Sequence, residues 1–171
     1  MISKELSATL GFAVREAKKR RHEYVSIEHI LFAILYDPTG MEIIENCGGN
    51  VENLITALEN FFEEKIERIP DGNEYVLQQT IGFQRVIQRA VNHARSAEKQ
   101  EVTVSDILAS IFLEKDSHAE YFLGAEGVTR LDVLNFISHS VSKTPYEDSP
   151  GSLTQSNKEE RKKKGNPLKR F

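Results

Sequence analysis

The segment Val25-Ser26-Ile27-Glu28-His29-Ile30-Leu31 returns 77 residues later as Val102-Thr103-Val104-Ser105-Asp106-Ile107-Leu108. In both copies a hydroxyl residue suited to cap a helix comes before apolar residues spaced three and four apart, which is the spacing of one helical face. A helical unit that occurs twice at a fixed distance indicates an internal duplication.

The same offset of 77 relates the segments on either side. It pairs Leu6, Leu10, Ala13 and Ala17 with Phe83, Ile87, Ala90 and Ala94, Ile34-Leu35 with Ile111-Phe112, and Val51 and Leu54 with Val128 and Leu131. The matches fall on apolar positions, and hydroxyl residues at Ser3, Ser26, Thr80, Thr103 and Thr129 are suited to begin helices. The sequence therefore predicts an all-α fold of two four-helix repeats related by a pseudo-twofold axis. We expect the repeats at residues 1–65 and 80–141, joined by a linker at 66–79.

The end of the chain differs from the rest in composition and charge. Residues 142–171 contain three of the five prolines and eight Lys/Arg against four Asp/Glu, and we expect them to form a flexible linker. Residues 1–141 then carry fourteen Lys/Arg against twenty-two Asp/Glu. Such an acidic body would repel phosphate backbones, so we expect no nucleic-acid binding.

The compartment is suggested by what the sequence lacks. No apolar run approaches the roughly 18 residues of a membrane-spanning helix. The N-terminus does not resemble a signal peptide, and the single cysteine, Cys47, leaves no pair for an internal disulfide. We expect a cytoplasmic protein without a membrane association.

Motifs for catalysis and for cofactors are also missing. No G-x-x-x-x-G-K-[ST] or G-x-S-x-G occurs, so we expect neither ATP hydrolysis nor serine-based catalysis from this segment. His22 and His29 are seven residues apart and lack a third ligand, so we expect no metal site and no cofactor. The remaining enzyme hypothesis is an acid–base pair of His22 with Glu23 or Glu28, which would require a cleft that brings them together.

Positions that differ between the repeats are candidates for partner contacts. Glu23 corresponds to Gln100, Glu28 to Ser105, His22 to Lys99, His29 to Asp106, and Arg85 to Ala8. Ordinary drift of surface residues would produce the same differences. Glu28 lies in a first helical turn, where the helix dipole favours a carboxylate. Glu23 has no such local reason, and we expect Arg85 to pair with a nearby acid such as Glu23.

Two segments resemble the N-terminal domains of the Clp/Hsp100 family: Arg21–Leu31 and Gly82–Ala90. A third, Thr129–His139, is most similar to the ClpA branch of that family. The resemblance covers about residues 1–141. It implies a non-catalytic, monomeric docking domain, whose full-length relative is a hexameric unfoldase with ATP bound in ATPase modules that are not part of this segment.

The resemblance also implies partners and contact residues. Relatives in the ClpA branch receive protein substrates and a ClpS-like adaptor, and they pass substrates to the ClpP peptidase through another part of the chain. By motif match, the adaptor-binding positions correspond to Glu23, Glu28, Thr80 and Arg85. The alternative is a chaperone module that binds substrates directly in an apolar groove between the repeats, without an adaptor.

Overall fold

The computed structural model describes residues 1–142 and contains eight helices and two very short strands in that range. The elements are α1 (Lys4–Lys19), β1 (Tyr24–Val25), α2 (Ile27–Ile34), α3 (Pro38–Asn46), α4 (Val51–Lys65), β2 (Gln78–Gln79), α5 (Ile81–Ser96), α6 (Val104–Ile111), α7 (His118–Ala125) and α8 (Arg130–Ser142). This confirms the predicted all-α fold. The linker predicted after α8 lies outside the described residues.

Backbone contacts divide the chain into two units, Met1–Leu134 and Asn135–Phe171, and of the second the structure describes only the last residues of α8. None of the helices between residues 1 and 142 is both long and apolar enough to cross a bilayer.

The duplication is visible in the backbone. The bounds of α1 and α2, shifted by 77 residues, are the bounds of α5 and α6. After the first helix of each half, Arg21 and Glu98, again 77 apart, have positive φ angles of 58° and 59°. Outside glycine such angles are uncommon, so their recurrence at equivalent positions reflects one shared backbone path.

Two short parallel backbone pairings connect the halves, and the sequence did not predict them. Val25 in β1 pairs in parallel with Gln79 in β2, and Val102 pairs in parallel with Ile2. A shift of 77 turns one pairing into the other. Each strand is only two residues long, which is too short to show the alternation of apolar and polar residues that identifies a strand.

Helices α2 and α6 form the centre of the core. All eight residues of α2 are buried, and so are seven of the eight in α6. The packing is reciprocal: α2 contacts α5 and α7, while α6 contacts α1 and α3. A twofold relation between the halves requires this pattern, because α1, α2 and α3 correspond to α5, α6 and α7.

The offset of 77 does not continue to the fourth helices. Asn50 caps α4 by accepting a hydrogen bond from Asn53 N (2.9 Å), and Thr129 caps α8 in the same way from Asp132 N (3.1 Å), so these caps are 79 residues apart. The predicted pairings of Val51 with Val128 and of Leu54 with Leu131 are therefore wrong. Val51 is the first residue of α4, whereas Val128 comes before the residue that caps α8. Leu54 is 1% exposed and Leu131 is 65% exposed, whereas Val133 is fully buried in the position that matches Leu54.

The change of offset arises at the corner between the second and third helices. In the first half, α2 ends at Ile34 and Asp37 caps α3; in the second half, α6 ends at Ile111 and Ser117 caps α7. The second corner is therefore three residues longer, and α7 is one residue shorter than α3. The longer corner, residues 112–116, borders the candidate site.

Candidate functional site

A cavity of about 530 Å³ lies between the start of α2, the first half of α5 and the α6–α7 corner. We call it the α2–α5 cavity. Its lining consists of Ser26, Ile27, Glu28, Thr80, Arg85, Arg89 and residues 113–118. Three of the four positions predicted from the family motif, Glu28, Thr80 and Arg85, thus line one cavity, although they are far apart in the sequence.

An ion-pair cluster forms one wall of the cavity. Arg85 donates to both carboxylate oxygens of Glu114, with Nε to Oε2 at 2.7 Å and Nη2 to Oε1 at 2.6 Å, and Arg89 Nη1 donates to Oε2 at 2.9 Å. The hydrogen bonds from Arg85 hold the pKa of Glu114 below its usual value, and the single hydrogen bond from Arg89 adds to the effect. Arg85 thus pairs with an acidic residue, as predicted, but that residue is Glu114 and not Glu23.

Glu114 is a site residue that the sequence reasoning missed. It belongs to the α6–α7 corner, which is three residues longer than the α2–α3 corner of the first half. Its side chain is almost fully buried, at 7% exposure. Arg85, at 52%, remains half in solvent. Glu114 therefore fixes the orientation of a guanidinium whose outer edge is still open to a partner. The change of offset from 77 to 79 is the sequence signal that could have revealed this insertion.

Glu28 is not a free surface carboxylate. Its side chain is buried, and Oε2 accepts a hydrogen bond from the backbone N–H of Ala119 at 3.0 Å. Ala119 is the second residue of α7, where backbone N–H groups have no partner inside the helix. Glu28 therefore ties the first half to the third helix of the second half and fixes one side of the cavity.

Thr80 joins β2 to α5 at the edge of the cavity. Its Oγ1 accepts from Phe83 N at 3.1 Å, which confirms the predicted helix cap, and its own N–H donates to Val25 O at 3.1 Å. Glu23 lies outside the cavity lining. Its backbone oxygen accepts from Gln78 N at 3.0 Å, and its side chain is exposed.

His22 and His29, which differ from their counterparts in the second half, form a buried pair. The Ser26 N–H donates to His29 Nδ1 at 3.0 Å, so the proton of His29 must be on Nε2. His29 Nε2–H then donates to His22 Nδ1 at 2.9 Å. In the second half the equivalent residues are Lys99 and Asp106, which form an ion pair at 2.6 Å.

These differences between the repeats therefore reflect two alternative ways to satisfy the same buried contact. The Asp106 carboxylate accepts from Thr103 N at 2.9 Å, as His29 accepts from Ser26 N. Neither His22 nor His29 lines the α2–α5 cavity. The α2–α5 cavity therefore does not bring His22 together with Glu23 or Glu28, as the enzyme hypothesis required. Among the described residues, no group of three or more His, Cys, Asp or Glu side chains is arranged to hold a metal ion.

We expect the domain to lose stability at mildly acidic pH. Burial lowers the pKa of His22 to about 4 and that of His29 to about 3, with nearby positive charge from Arg20 adding to both shifts. Because the unfolded histidines take up protons below about pH 6.5 and the folded ones do not, the stabilisation is complete above that pH and declines as the pH falls. The free energy of unfolding should fall by about 2 kcal/mol between pH 7 and pH 5.5.

Urea unfolding at a series of pH values measures this dependence. The variant His93→Gln, at an exposed position of α5, is the control and should follow the parent curve. A free energy of unfolding that stays constant between pH 7 and pH 5.5 would show that the histidine pair is not held neutral.

Comparison with known proteins identifies relatives of this chain. Residues 1–126 match the family model described as Clp repeat (R) N-terminal domain. The chain is 37% identical over 146 residues to a ClpA homolog protein of Fuscovulum blasticum, covering 84% of this chain and 18% of that protein. It is 30% identical over 136 residues to the chaperone protein ClpB of Mesorhizobium japonicum, covering 78% and 15%.

Solved structures show the same fold at low sequence identity. The N-domain of ClpV from Vibrio cholerae superimposes with a TM-score of 0.66 at 18% identity, covering 82% of each chain. The N-terminal domain of the chaperone ClpD from Arabidopsis thaliana does so with a TM-score of 0.60 at 18% identity, covering 80% of this chain and 94% of that one. The present chain spans less than a fifth of the length of the curated relatives quoted above.

Proposed function

This chain belongs to the Clp repeat N-terminal domain family, and from that premise we propose that it is the docking domain of a ClpA-like protein unfoldase. In this proposal the domain binds a ClpS-like adaptor and protein substrates at the α2–α5 cavity. ATPase modules elsewhere in the full protein assemble as a hexamer, unfold the substrate and feed it to a ClpP peptidase in the cytoplasm. The domain itself contributes recognition and no catalysis.

One observation carries the proposal: Glu28, Thr80 and Arg85 line a single cavity, and Arg85 is held by Glu114 with its guanidinium half in solvent. Arginine is enriched among the residues that anchor protein partners, and here Glu114 orients a guanidinium that is still accessible. Its charge also favours encounter with an acidic group on the partner.

The four predicted residues then have different roles. Arg85 and Thr80 contact the adaptor, because both lie at the accessible edge of the cavity. Glu28 positions α7 through the Ala119 N–H and acts on the adaptor through the shape of the cavity. Glu23 is exposed and its carboxylate forms no ion pair within the described part of the chain. It would extend the contact surface beyond the cavity.

Direct capture of unfolded substrates in an apolar groove is less well supported at this place. Of the residues that line the cavity, only Ile27 and Leu113 are apolar, and the others are polar or charged. Clefts that bind apolar chain segments are lined predominantly by apolar and aromatic side chains. The polar lining therefore favours recognition of a folded adaptor.

We expect Arg85→Ala to weaken adaptor binding about tenfold or more, which is the usual effect of removing an arginine that anchors a partner. Calorimetry with a purified ClpS-like adaptor measures the affinity. Arg95→Ala is the matched control, because Arg95 lies on the same helix but does not line the cavity. Melting curves establish that both variants are folded.

Equal affinities of Arg85→Ala and the parent domain for the adaptor would refute the proposed docking surface. Binding of an unfolded model protein such as reduced casein, unaffected by Arg85→Ala, would instead support the direct substrate-binding alternative.

A further inference from the structure

We propose that three exposed apolar side chains beside the α2–α5 cavity, those of Tyr24, Val76 and Ile81, form the apolar part of the adaptor-docking surface. We call these three residues the apolar strip. An apolar patch on the folded ClpS-like adaptor covers the strip when the two proteins bind. The inference rests on the proposed function, and it supplies the apolar contact that the polar lining of the cavity lacks.

The strip is exposed to an unusual degree. Val76 is 78% exposed and Ile81 73%, and within residues 1–142 only Met1 exceeds them among the large apolar side chains. Tyr24 is 44% exposed. Single exposed apolar residues are normal on protein surfaces, whereas a group of them at one place marks a surface that binds another protein.

The backbone keeps the three residues near one another. Tyr24 in β1 pairs with Gln78 in β2, and paired strands lie about 5 Å apart. Val76 comes two residues before Gln78, and Ile81 comes three residues after it as the first residue of α5. Consecutive Cα atoms are 3.8 Å apart, so the Cα atoms of Val76 and Ile81 both lie within about 11 Å of that of Gln78. The strip therefore surrounds the β1–β2 pair.

Ile81 connects the strip to the docking cavity. It precedes Arg85 by four residues in α5, and residues at this spacing lie on the same face of a helix. Thr80, directly before Ile81, lines the cavity and donates its N–H to Val25 O at 3.1 Å. The cavity and the strand pair thus share one stretch of backbone. An adaptor that contacts Arg85 is therefore also within reach of Ile81.

The duplication provides an internal control for these positions. A shift of 77 residues relates Tyr24 to Glu101 and Ile81 to Lys4, and both charged residues are exposed. Because the backbone follows the same path in the two halves, the fold accepts a charged side chain at either position. Folding therefore does not require the apolar character of Tyr24 and Ile81, and burial against a partner accounts for it.

Arg21 fixes the linker that leads to the strip. Its Nε donates to Ile69 O and its Nη2 to Pro70 O, both at 2.9 Å, and Nη2 also donates to Asn73 O at 2.6 Å. The guanidinium carbon lies 5.3 Å from the centre of the Tyr75 ring. A surface that is already ordered in the free domain loses little conformational entropy when a partner covers it. The linker is therefore prepared for docking.

Opposite charges at the two ends of the strip define the partner further. Glu23, next to Tyr24, is exposed, and its carboxylate has no ion-pair partner in the described part of the chain. Arg85, next to Ile81 on α5, is half in solvent. The matching surface has an apolar centre between a basic and an acidic group. A folded adaptor can hold such groups at fixed distances, whereas an unfolded substrate cannot.

Calorimetry of the whole chain with a purified ClpS-like adaptor tests the strip. Ile81→Gln should weaken binding about tenfold, through the loss of one buried aliphatic side chain. Tyr24→Gln and Val76→Ser should each weaken it severalfold. None of these substitutions changes the net charge. All three should make the heat-capacity change of binding less negative, because less apolar surface is buried in the complex.

Leu131→Gln and Ile2→Gln are the matched controls. Each replaces an exposed apolar residue outside the strip with the same polar side chain, so both variants should bind the adaptor as the parent does. Melting curves establish which variants are folded. The three strip residues lie in different elements, so the remaining two give the answer if one variant does not fold.

The inference is overturned if the folded strip variants all bind the adaptor as the parent does while Arg85→Ala weakens binding. The docking surface proposed above would then stand without the strip. If Arg85→Ala also binds as the parent does, the docking surface and the strip are both refuted. Losses in Leu131→Gln and Ile2→Gln as large as that in Ile81→Gln would overturn the inference as well, because the effect would not depend on position.

Discussion

Gly40→Ala is expected to destabilise the domain by about 3 kcal/mol or more, because the added methyl group has no space. Gly40 is buried in the first turn of α3, and its N–H donates to the Asp37 cap at 3.0 Å. A Cβ atom there would overlap the Ile34 carbonyl oxygen and lie 2.6 Å from Ile34 Cγ2. Ile34 ends α2 in the centre of the core, so its backbone cannot move aside.

Gly124→Ala in α7 is the matched control. Nothing lies within 4 Å of the position that its Cβ would occupy, so alanine should stabilise the helix by up to about 1 kcal/mol. Urea unfolding of both variants measures the two effects. Equal stabilities of Gly40→Ala and the parent would contradict the tight α2–α3 corner.

The different lengths of the α2–α3 and α6–α7 corners affect both the packing of the core and the candidate site. The short α2–α3 corner brings the backbone of α3 so close to α2 that only glycine fits. The longer α6–α7 corner removes that restriction and adds Glu114, which holds Arg85. A difference of three residues in one connection thus gives the second half a charged cluster that the first half lacks.

His22→Lys alone is expected to cost about 3 kcal/mol or more, because it places an ammonium group beside a neutral buried imidazole. Adding His29→Asp should recover at least half of that loss. The double variant recreates the pair that Lys99 and Asp106 form in the second half at 2.6 Å. Recovery should be incomplete, because His29 also stacks on Phe62 at a ring distance of 4.6 Å.

Unfolding free energies of the parent, both single variants and the double variant form a complete mutant cycle. We expect a coupling energy of about 2 kcal/mol or more between positions 22 and 29. Additive losses would mean that the two halves do not use equivalent buried contacts, which would contradict the pseudo-symmetric account of these positions.

Much of the fold was predictable because helix spacing and helix caps are local signals. The caps at Ser3, Thr80 and Thr129 are confirmed by hydrogen bonds from Leu6 N, Phe83 N and Asp132 N. Family membership confirms the resemblance drawn from Arg21–Leu31 and Gly82–Ala90. The offset of 77 failed only after the corner whose length differs between the halves. The change of offset was missed in the sequence because Leu131, which lies 77 residues after Leu54, is also apolar.

The site was less predictable because it depends on contacts across the fold. The family motif indicated Glu28, Thr80 and Arg85, but the sequence does not show that Glu28 bonds to Ala119 N or that Arg85 faces Glu114. Differences between repeats proved ambiguous as well. His22 and His29 differ from Lys99 and Asp106 as complete pairs, and a residue-by-residue comparison cannot detect such compensation.

Cross-saturation NMR from an unlabelled ClpS-like adaptor to the deuterated domain tests the docking surface most directly. The amide signals of residues 80–89 and 113–118, which surround the α2–α5 cavity, should lose intensity on irradiation of the adaptor. Signal loss confined to α3 and α4, with those two segments unaffected, would contradict the assignment of the cavity as the place where the adaptor binds.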